Sequence, residues 1–134
     1  MTPFPLKIVT PDGLIYDGQA EEVIVRGTEG DLAILARHIN FVTPLGMGRA
    51  IIVANGQRRA AACIGGMLSV VNGECPLVPT TFEWADQIDV ERAERAQQKA
   101  QERLSAANAT DTDIRLSEAK LHRALVRKSV ASYK

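Results

Sequence analysis

The sequence predicts an α+β protein in two parts: an antiparallel β-sandwich or flattened barrel, followed by an antiparallel hairpin of two helices. All 10 Gly and all 6 Pro precede residue 86, where they separate short Val-, Ile- and Leu-rich runs. From Asp86 onward the chain is rich in Ala, Arg, Lys, Glu and Gln, which have high helix propensity. We therefore predict a β domain over residues 1–85 and a helical domain over residues 86–134.

Short runs of apolar residues in the first part predict a succession of strands. Asn55-Gly56 and Asn72-Gly73 are strong hairpin signals, because a type I′ turn needs positive φ at both central residues. Strands this short, with no helix between them, are typical of a sandwich or a flattened barrel. The predicted strands are 4–9, 14–16, 22–26, 32–35, 41–43, 48–54, 58–64, 67–71 and 74–79.

The second part predicts two helices joined by a loop over residues 105–112. Asp86 or Asp89 can cap the first helix, Asn108 is a candidate for the left-handed residue after it, and the second helix starts near Asp111. An alanine seam buries little area, so a hairpin held by it is expected to separate readily. The residues expected to face inward are Ala93, Ala96, Ala100, Leu104, Ala107, Ile114, Leu121, Ala124 and Leu125.

The net charge and the two cysteines argue against some classes of function. The formal net charge of 0 argues against a general nucleic-acid binder. The segment from Arg115 to Lys134 nevertheless has six basic residues and one acid, which indicates either an anionic partner or a solvated face. Cys63 and Cys75 fit no metal or redox spacing and are expected to be buried, reduced thiols. With no long apolar run and no targeting leader, we expect a cytosolic or peripheral location.

The sequence contains no recognisable catalytic constellation. It lacks a Walker-type phosphate loop, a GxSxG nucleophile motif and an HExxH metal motif. The two histidines, His38 and His122, lie in different parts of the chain. We therefore expect no catalysis and no metal site, and we interpret His38 as either a solvated loop residue or an interface residue.

The segment 88–93 is either an ordinary helix cap or part of an anion site. Arg123 and Arg127 are four residues apart and share one face of the second helix. In an antiparallel hairpin they would lie near Arg92, and three guanidinium groups suit phosphate. The start of the helix would add backbone N–H groups. Carboxylates at Glu83 and Asp89 could accept hydrogen bonds from an adenine amino group or a ribose hydroxyl.

Over its whole length the chain resembles the epsilon subunit of a bacterial F-type ATP synthase. The resemblance rests on the β-domain segments Val9–Gly13, Gly30–His38 and Gly65–Val70, and on the junction and hairpin that follow. The family usually has Gly at position 33, Pro-Gly at 36–37 and Pro at 40. This chain has Ala33, Ala36-Arg37 and Asn40 instead, so a differently shaped loop is expected around His38.

The resemblance implies a non-catalytic rotor subunit. The sandwich would sit at the foot of the gamma subunit and touch the polar loops of the membrane c-ring, and Asp31 and His38 match positions implicated in that contact. The hairpin would be mobile, and folded down in the isolated chain. When extended, its basic second helix would reach an acidic segment of the catalytic beta subunit and block ATP hydrolysis. The subunit would lie peripherally at the cytoplasmic face of the bacterial membrane.

Some bacterial members of this family bind ATP in the folded-down hairpin. The resemblance implies that ATP is a regulatory ligand here, without a required metal. Bound ATP would favour the folded-down state through its differential affinity and so relieve inhibition. The residues that match the family pattern are Glu83, Ile88, Asp89, Arg92, Ala93, Arg123 and Arg127.

Two other function classes are alternatives to the rotor subunit. A stand-alone β-barrel with a basic helical tail, binding anions or nucleic acid, predicts exposed aromatic side chains for base stacking. The chain has one Trp, two Tyr and three Phe, which are scattered along the sequence. A stand-alone nucleotide hydrolase would need a catalytic constellation that the sequence lacks.

Overall fold

In a computed structural model, which describes residues 2–133, the chain forms two compact units divided between Trp84 and Ala85. The predicted architecture of a β-sandwich followed by two helices is confirmed. The strands are β1 (Phe4–Thr10), β2 (Gly13–Ala20), β3 (Glu22–Gly27), β4 (Gly30–Ile34), β5 (Phe41–Pro44), β6 (Met47–Ala54), β7 (Gln57–Ile64), β8 (Met67–Val70), β9 (Cys75–Val78) and β10 (Thr81–Trp84).

The strands form two five-stranded sheets with the orders β2-β1-β9-β8-β5 and β10-β7-β6-β3-β4. One pair departs from the antiparallel pattern, because β1 and β9 run parallel, with Leu6 opposite Cys75. Between these two strands the chain also forms strands of the second sheet, and β9 then runs in the same direction as β1. Strand β10, which pairs with β7, was not among the predicted strands.

The core of the sandwich follows from the alternation of apolar residues along its strands. On β1, Phe4, Leu6 and Ile8 are buried, whereas Pro5 and Lys7 are exposed. Since successive side chains of a strand point to opposite faces, this period of two places one face in the core. Aliphatic side chains from both sheets complete a core with few aromatic residues.

Both predicted Asn-Gly hairpin turns are confirmed. Asn55 and Gly56 have φ of 53° and 74°, and Asn72 and Gly73 have φ of 51° and 82°. These paired positive φ values are those of a type I′ turn, whose twist matches that of the flanking strands. The first turn joins β6 to β7, and the second joins β8 to β9.

The helical unit consists of a 3-10 turn (Ala85–Gln87), helix α1 (Val90–Leu104) and helix α2 (Asp111–Ala131). Asp89, one of the two predicted candidates, caps α1. Thr110 and Asp113 form a reciprocal capping box at the start of α2. The prediction of a left-handed residue at Asn108 is wrong, because among residues 2–133 positive φ outside glycine occurs only at 37, 55 and 72.

The predicted alanine seam is partly confirmed. Ala93, Ala100 and Ala124 are buried, as expected. Leu125 was expected to face inward but is 44% exposed, and Ala107 lies beyond the end of α1. The inward face of α2 is instead marked by three residues at intervals of six or seven, about two turns of a helix. These buried residues are Ser117, Ala124 and Val130.

Candidate functional site

The segment Ile88–Ala93 forms the start of helix α1. Oδ1 of Asp89 accepts a hydrogen bond from the backbone N–H of Arg92, at 3.0 Å. Ala93 is buried and Ile88 half-buried, whereas Asp89 and Arg92 are exposed. The apolar members of the motif therefore pack inside the unit, and the polar members remain accessible to a ligand.

This cap changes the chemistry expected of the helix start. The backbone N–H of Arg92 is one of the donors that a helix leaves unpaired within its first turn, and Asp89 already satisfies it. The carboxylate also places a negative charge where a phosphate would otherwise benefit from the helix dipole. Phosphate binding here would therefore depend on arginine side chains. The backbone N–H of Arg92, which was expected to bind phosphate, already donates to Asp89.

Three polar contacts set the register of the helix pair. Near the loop, Nη2 of Arg103 lies 3.0 Å from Oδ2 of Asp113. Towards the other end, Nζ of Lys128 lies 3.2 Å from Oε1 of Glu94 and 2.7 Å from Oε1 of Gln97. The contact between Lys128 and Glu94 was not predicted from the sequence, because the register that pairs the two residues depends on the length of the loop.

This register defines which predicted arginines approach one another. Arg127 is adjacent to Lys128 and therefore lies level with the second turn of α1. Arg92 lies in the first turn of α1. Arg123 lies one helical turn closer to the loop, and its level on α1 is roughly 10 Å along the axis from Arg92. Along the hairpin axis, Arg127 is therefore closer than Arg123 to the level of Arg92.

Arg92 also borders a shallow groove on the surface of α1. The groove is basic at two further positions, Arg95 and Lys99, and carries one acid, Glu102. All of its lining residues belong to α1, so it is a surface of one helix. Glu83 lies on β10 of the sandwich unit, opposite Ala62 of β7, and is half-buried.

The two predicted interface residues have separate local contacts. Asp31 lies on β4 beside the 27–30 turn, with Oδ1 at 3.4 Å from Nη1 of Arg26. His38 lies in the loop that follows the other end of β4. Its Nδ1 is 2.9 Å from the carbonyl oxygen of Ile39, and its ring centre is 4.9 Å from that of Phe41.

The two cysteines, Cys63 and Cys75, are free and buried. Burial raises the pKa of the Cys63 and Cys75 thiols to about 12, so both are protonated at neutral pH. In the described part of the chain, no three His, Cys, Asp or Glu side chains come together as a metal site. Neither of the helices described is long and apolar enough to cross a membrane.

Comparisons with known proteins match both units. Residues 3–85 match the family described as ATP synthase, Delta/Epsilon chain, beta-sandwich domain, and residues 86–132 match its long alpha-helix domain. An ATP synthase epsilon chain of Shouchella clausii is 36% identical over 134 residues, covering 100% of this chain and 98% of its own length. An epsilon chain of Bacillus velezensis is 43% identical over 126 residues, or 94% of this chain and 95% of its own.

Solved structures share the fold at low sequence identity. A chain of the mitochondrial ATP synthase of Euglena gracilis, in a structure of its OSCP, F1 and c-ring parts, matches with a TM-score of 0.85 and 18% identity. That match covers 96% of this chain and 81% of the other. A chain from the central stalk and c-ring structure of Tetrahymena thermophila matches with a TM-score of 0.68 and 11% identity, covering 96% of both chains.

Proposed function

This chain belongs to the epsilon-chain family of the bacterial F-type ATP synthase, and from that premise we propose how its two units serve the enzyme. It is a non-catalytic subunit of the central stalk, which replaces the alternative of a stand-alone barrel. In the proposal, the sandwich couples gamma to the c-ring and the hairpin regulates ATP hydrolysis. The subunit belongs to a membrane-associated complex, and we propose that it lies peripherally at the cytoplasmic face.

The proposed rotor contacts use Asp31 and His38. The side chains of Asp31 and its partner Arg26 are 62% and 52% exposed, so the ion pair between them is worth little and can be exchanged for another partner. Beside His38, the apolar side chain of Ile39 is 77% exposed, the largest exposure among the large hydrophobic residues described. The apolar side chain of Ile39 is therefore available for a protein partner to bury.

Copurification tests the rotor contacts. We expect the chain to remain with gamma and the c-ring when the complex is extracted from membranes. Asp31→Asn should weaken retention, whereas the matched change Asp17→Asn, at an exposed residue of β2, should not. A chain that separates from the complex at every salt concentration would contradict the proposed coupling.

The proposed inhibitory element is the basic helix α2. Its part from Arg115 onward carries five of the six basic residues counted above, and such a surface suits an acidic segment of the catalytic beta subunit. The contacts that join the helices are weak, since the seam is largely alanine and the Lys128–Glu94 pair is 31% and 55% exposed. A surface pair of this kind contributes about 0.2–1 kcal/mol. The hairpin can therefore open at modest cost.

The proposed ATP site lies on the paired helices. Arg92 on α1 and Arg123 and Arg127 on α2 would bind the phosphates, with Asp89 as an acceptor for adenine or ribose. The family pattern also includes Glu83, which lies on β10 of the sandwich unit. Ile88 and Ala93 would support the site by packing. What supports this site is that a ligand shared by Arg92 on α1 and by Arg123 or Arg127 on α2 needs the two helices to be paired, as they are through the contacts of Lys128 with Glu94 and Gln97. ATP would therefore bind the folded hairpin preferentially and oppose its extension.

A calorimetric titration of ATP without magnesium tests this site. We expect saturable binding to the wild-type chain and a loss of binding in Arg92→Ala. The matched control Arg115→Ala removes an exposed arginine of α2 outside the proposed site and should retain binding. Absence of wild-type binding up to millimolar ATP would contradict the site, reduce the motif to a helix cap, and leave the family assignment intact.

A further inference from the structure

Two asparagines join the His38 loop to a distant hairpin turn. The loop, residues 35–40, connects β4 to β5, and the turn is Asn72-Gly73 between β8 and β9. The backbone N–H of Asn72 donates to Oδ1 of Asn40 at 2.8 Å, and Nδ2 of Asn40 lies 3.5 Å from Oδ1 of Asn72. These contacts link positions 32 residues apart. We call them the Asn40–Asn72 clamp.

The turn and the loop that the clamp joins differ in how well their own backbone conformations are stabilised. The turn is held by reciprocal backbone hydrogen bonds between Val71 and Glu74, at 2.9 and 3.0 Å. The loop instead contains Arg37 at a φ of 65°, a left-handed conformation that costs a side-chain-bearing residue about 1–2 kcal/mol. A loop with such a cost needs contacts from outside itself to stay in one conformation. Asn40 supplies one from the rigid turn.

The position of Asn40 makes the clamp relevant to binding. It stands between Ile39, the most exposed large apolar residue described, and Phe41, which packs against the core and begins β5. The His38 ring contacts that of Phe41, with the ring centres 4.9 Å apart and the planes tilted by 40°. The clamp therefore fixes the backbone immediately after His38 and Ile39, and both side chains depend on that backbone for their direction.

We propose that Asn40 is a positioning residue, which holds His38 and Ile39 in the conformation that meets the rotor partner through its clamp on Asn72. The inference rests on the proposed role of His38 at the rotor interface. A loop that is already ordered avoids the conformational cost of ordering on association, so the clamp raises affinity without contacting the partner. Loss of the clamp should weaken association and leave the sandwich folded.

The test measures association with an ATP synthase complex that contains gamma and the c-ring but lacks this subunit. We expect Asn40→Ala to weaken binding by about 3- to 10-fold, the effect of one net hydrogen bond. Asn40→Asp retains the oxygen that accepts the 2.8 Å bond and should stay within about twofold of wild type. The matched control Asn108→Ala, at an exposed asparagine between the helices, should not change binding. Unchanged unfolding midpoints would show that all variants are folded.

A double-mutant cycle separates positioning from a direct contact. If Asn40 acts through His38 and Ile39, then Asn40→Ala should add little to the combined effect of His38→Ala and Ile39→Ala. Additive effects, or normal binding by Asn40→Ala while His38→Ala is impaired, would overturn the positioning role alone. Normal binding by His38→Ala would overturn the proposed interface role of His38, and the positioning role with it. Faster amide exchange across residues 37–40 in Asn40→Ala is the accompanying structural signature expected.

Discussion

Gly66 provides the sharpest stability prediction, because it has the least room for an added Cβ among the glycines of the chain. A Cβ added at Gly66 would collide with the carbonyl oxygen of Val78 and would stand 2.5 Å from Cα of Pro79. Both neighbours are backbone atoms, so no flexible side chain can move aside. Gly66 also has a φ of 100°, which L side chains rarely adopt. Gly66→Ala should therefore push the end of β9 away from the start of β8.

The cost can be worked from these two effects. The conformation costs about 1–2 kcal/mol for a residue with a Cβ, and forced overpacking costs about 1–3 kcal/mol more. The expected loss is therefore about 2–5 kcal/mol, out of a total that is about 5–15 kcal/mol for typical domains. Gly56→Ala is the matched control, since its φ is 74° but its added Cβ meets nothing within 4 Å. It should lose only the conformational part.

Urea unfolding followed by tryptophan fluorescence measures this difference. Trp84 is the only tryptophan of the chain, is 6% exposed and contacts Phe82 edge-on at 5.0 Å. Because Trp84 lies in β10, its emission reports on the sandwich. Equal destabilisation by Gly66→Ala and Gly56→Ala, within about 1 kcal/mol, would refute the steric reasoning.

Three further predictions concern titration, reactivity and packing. The hydrogen bond from the backbone N–H of Thr110 is the largest of the contacts that lower the pKa of Asp113. Its stabilisation of the folded chain is therefore present at neutral pH and lost as the pH falls through the lowered pKa. Circular dichroism in acid should show this loss in wild type and not in Asp113→Asn. Since burial raises the pKa of Cys63 and Cys75 to about 12, neither should react with a thiol reagent at pH 8 until the chain unfolds, and rapid native labelling would contradict this. Ala124 is 1% exposed, and three more carbon atoms there would overpack the seam. Ala124→Leu should therefore cost about 1–3 kcal/mol in thermal unfolding, and an unchanged midpoint would show a looser seam.

The sequence predicted best what short segments determine. Asn55-Gly56 and Asn72-Gly73 fix their turns through their own φ preferences, and Asp89 caps a helix through a residue three positions away. The parallel pairing of β1 with β9 joins segments about 70 residues apart, and no local pattern encodes it. Long-range pairing is therefore the part of the fold that required coordinates.

The candidate site divides in the same way. The motif Ile88–Ala93 and its capping residue, Asp89, could be recognised from the sequence alone. The Lys128–Glu94 contact depends on the register of two helices, and the Asn40–Asn72 clamp on the approach of two loops. Each of these contacts joins residues whose spacing in sequence carries no periodic signal.

The most direct test of the account is ATP hydrolysis by the enzyme head reconstituted with this chain, measured across ATP concentration. We predict inhibition at low ATP that is relieved at high ATP for the wild-type chain. Arg92→Ala should bind the head equally well and remain inhibitory at high ATP, because its folded hairpin lacks the ligand. No inhibition at any ATP concentration, or identical relief in wild type and Arg92→Ala, would contradict an ATP-controlled hairpin.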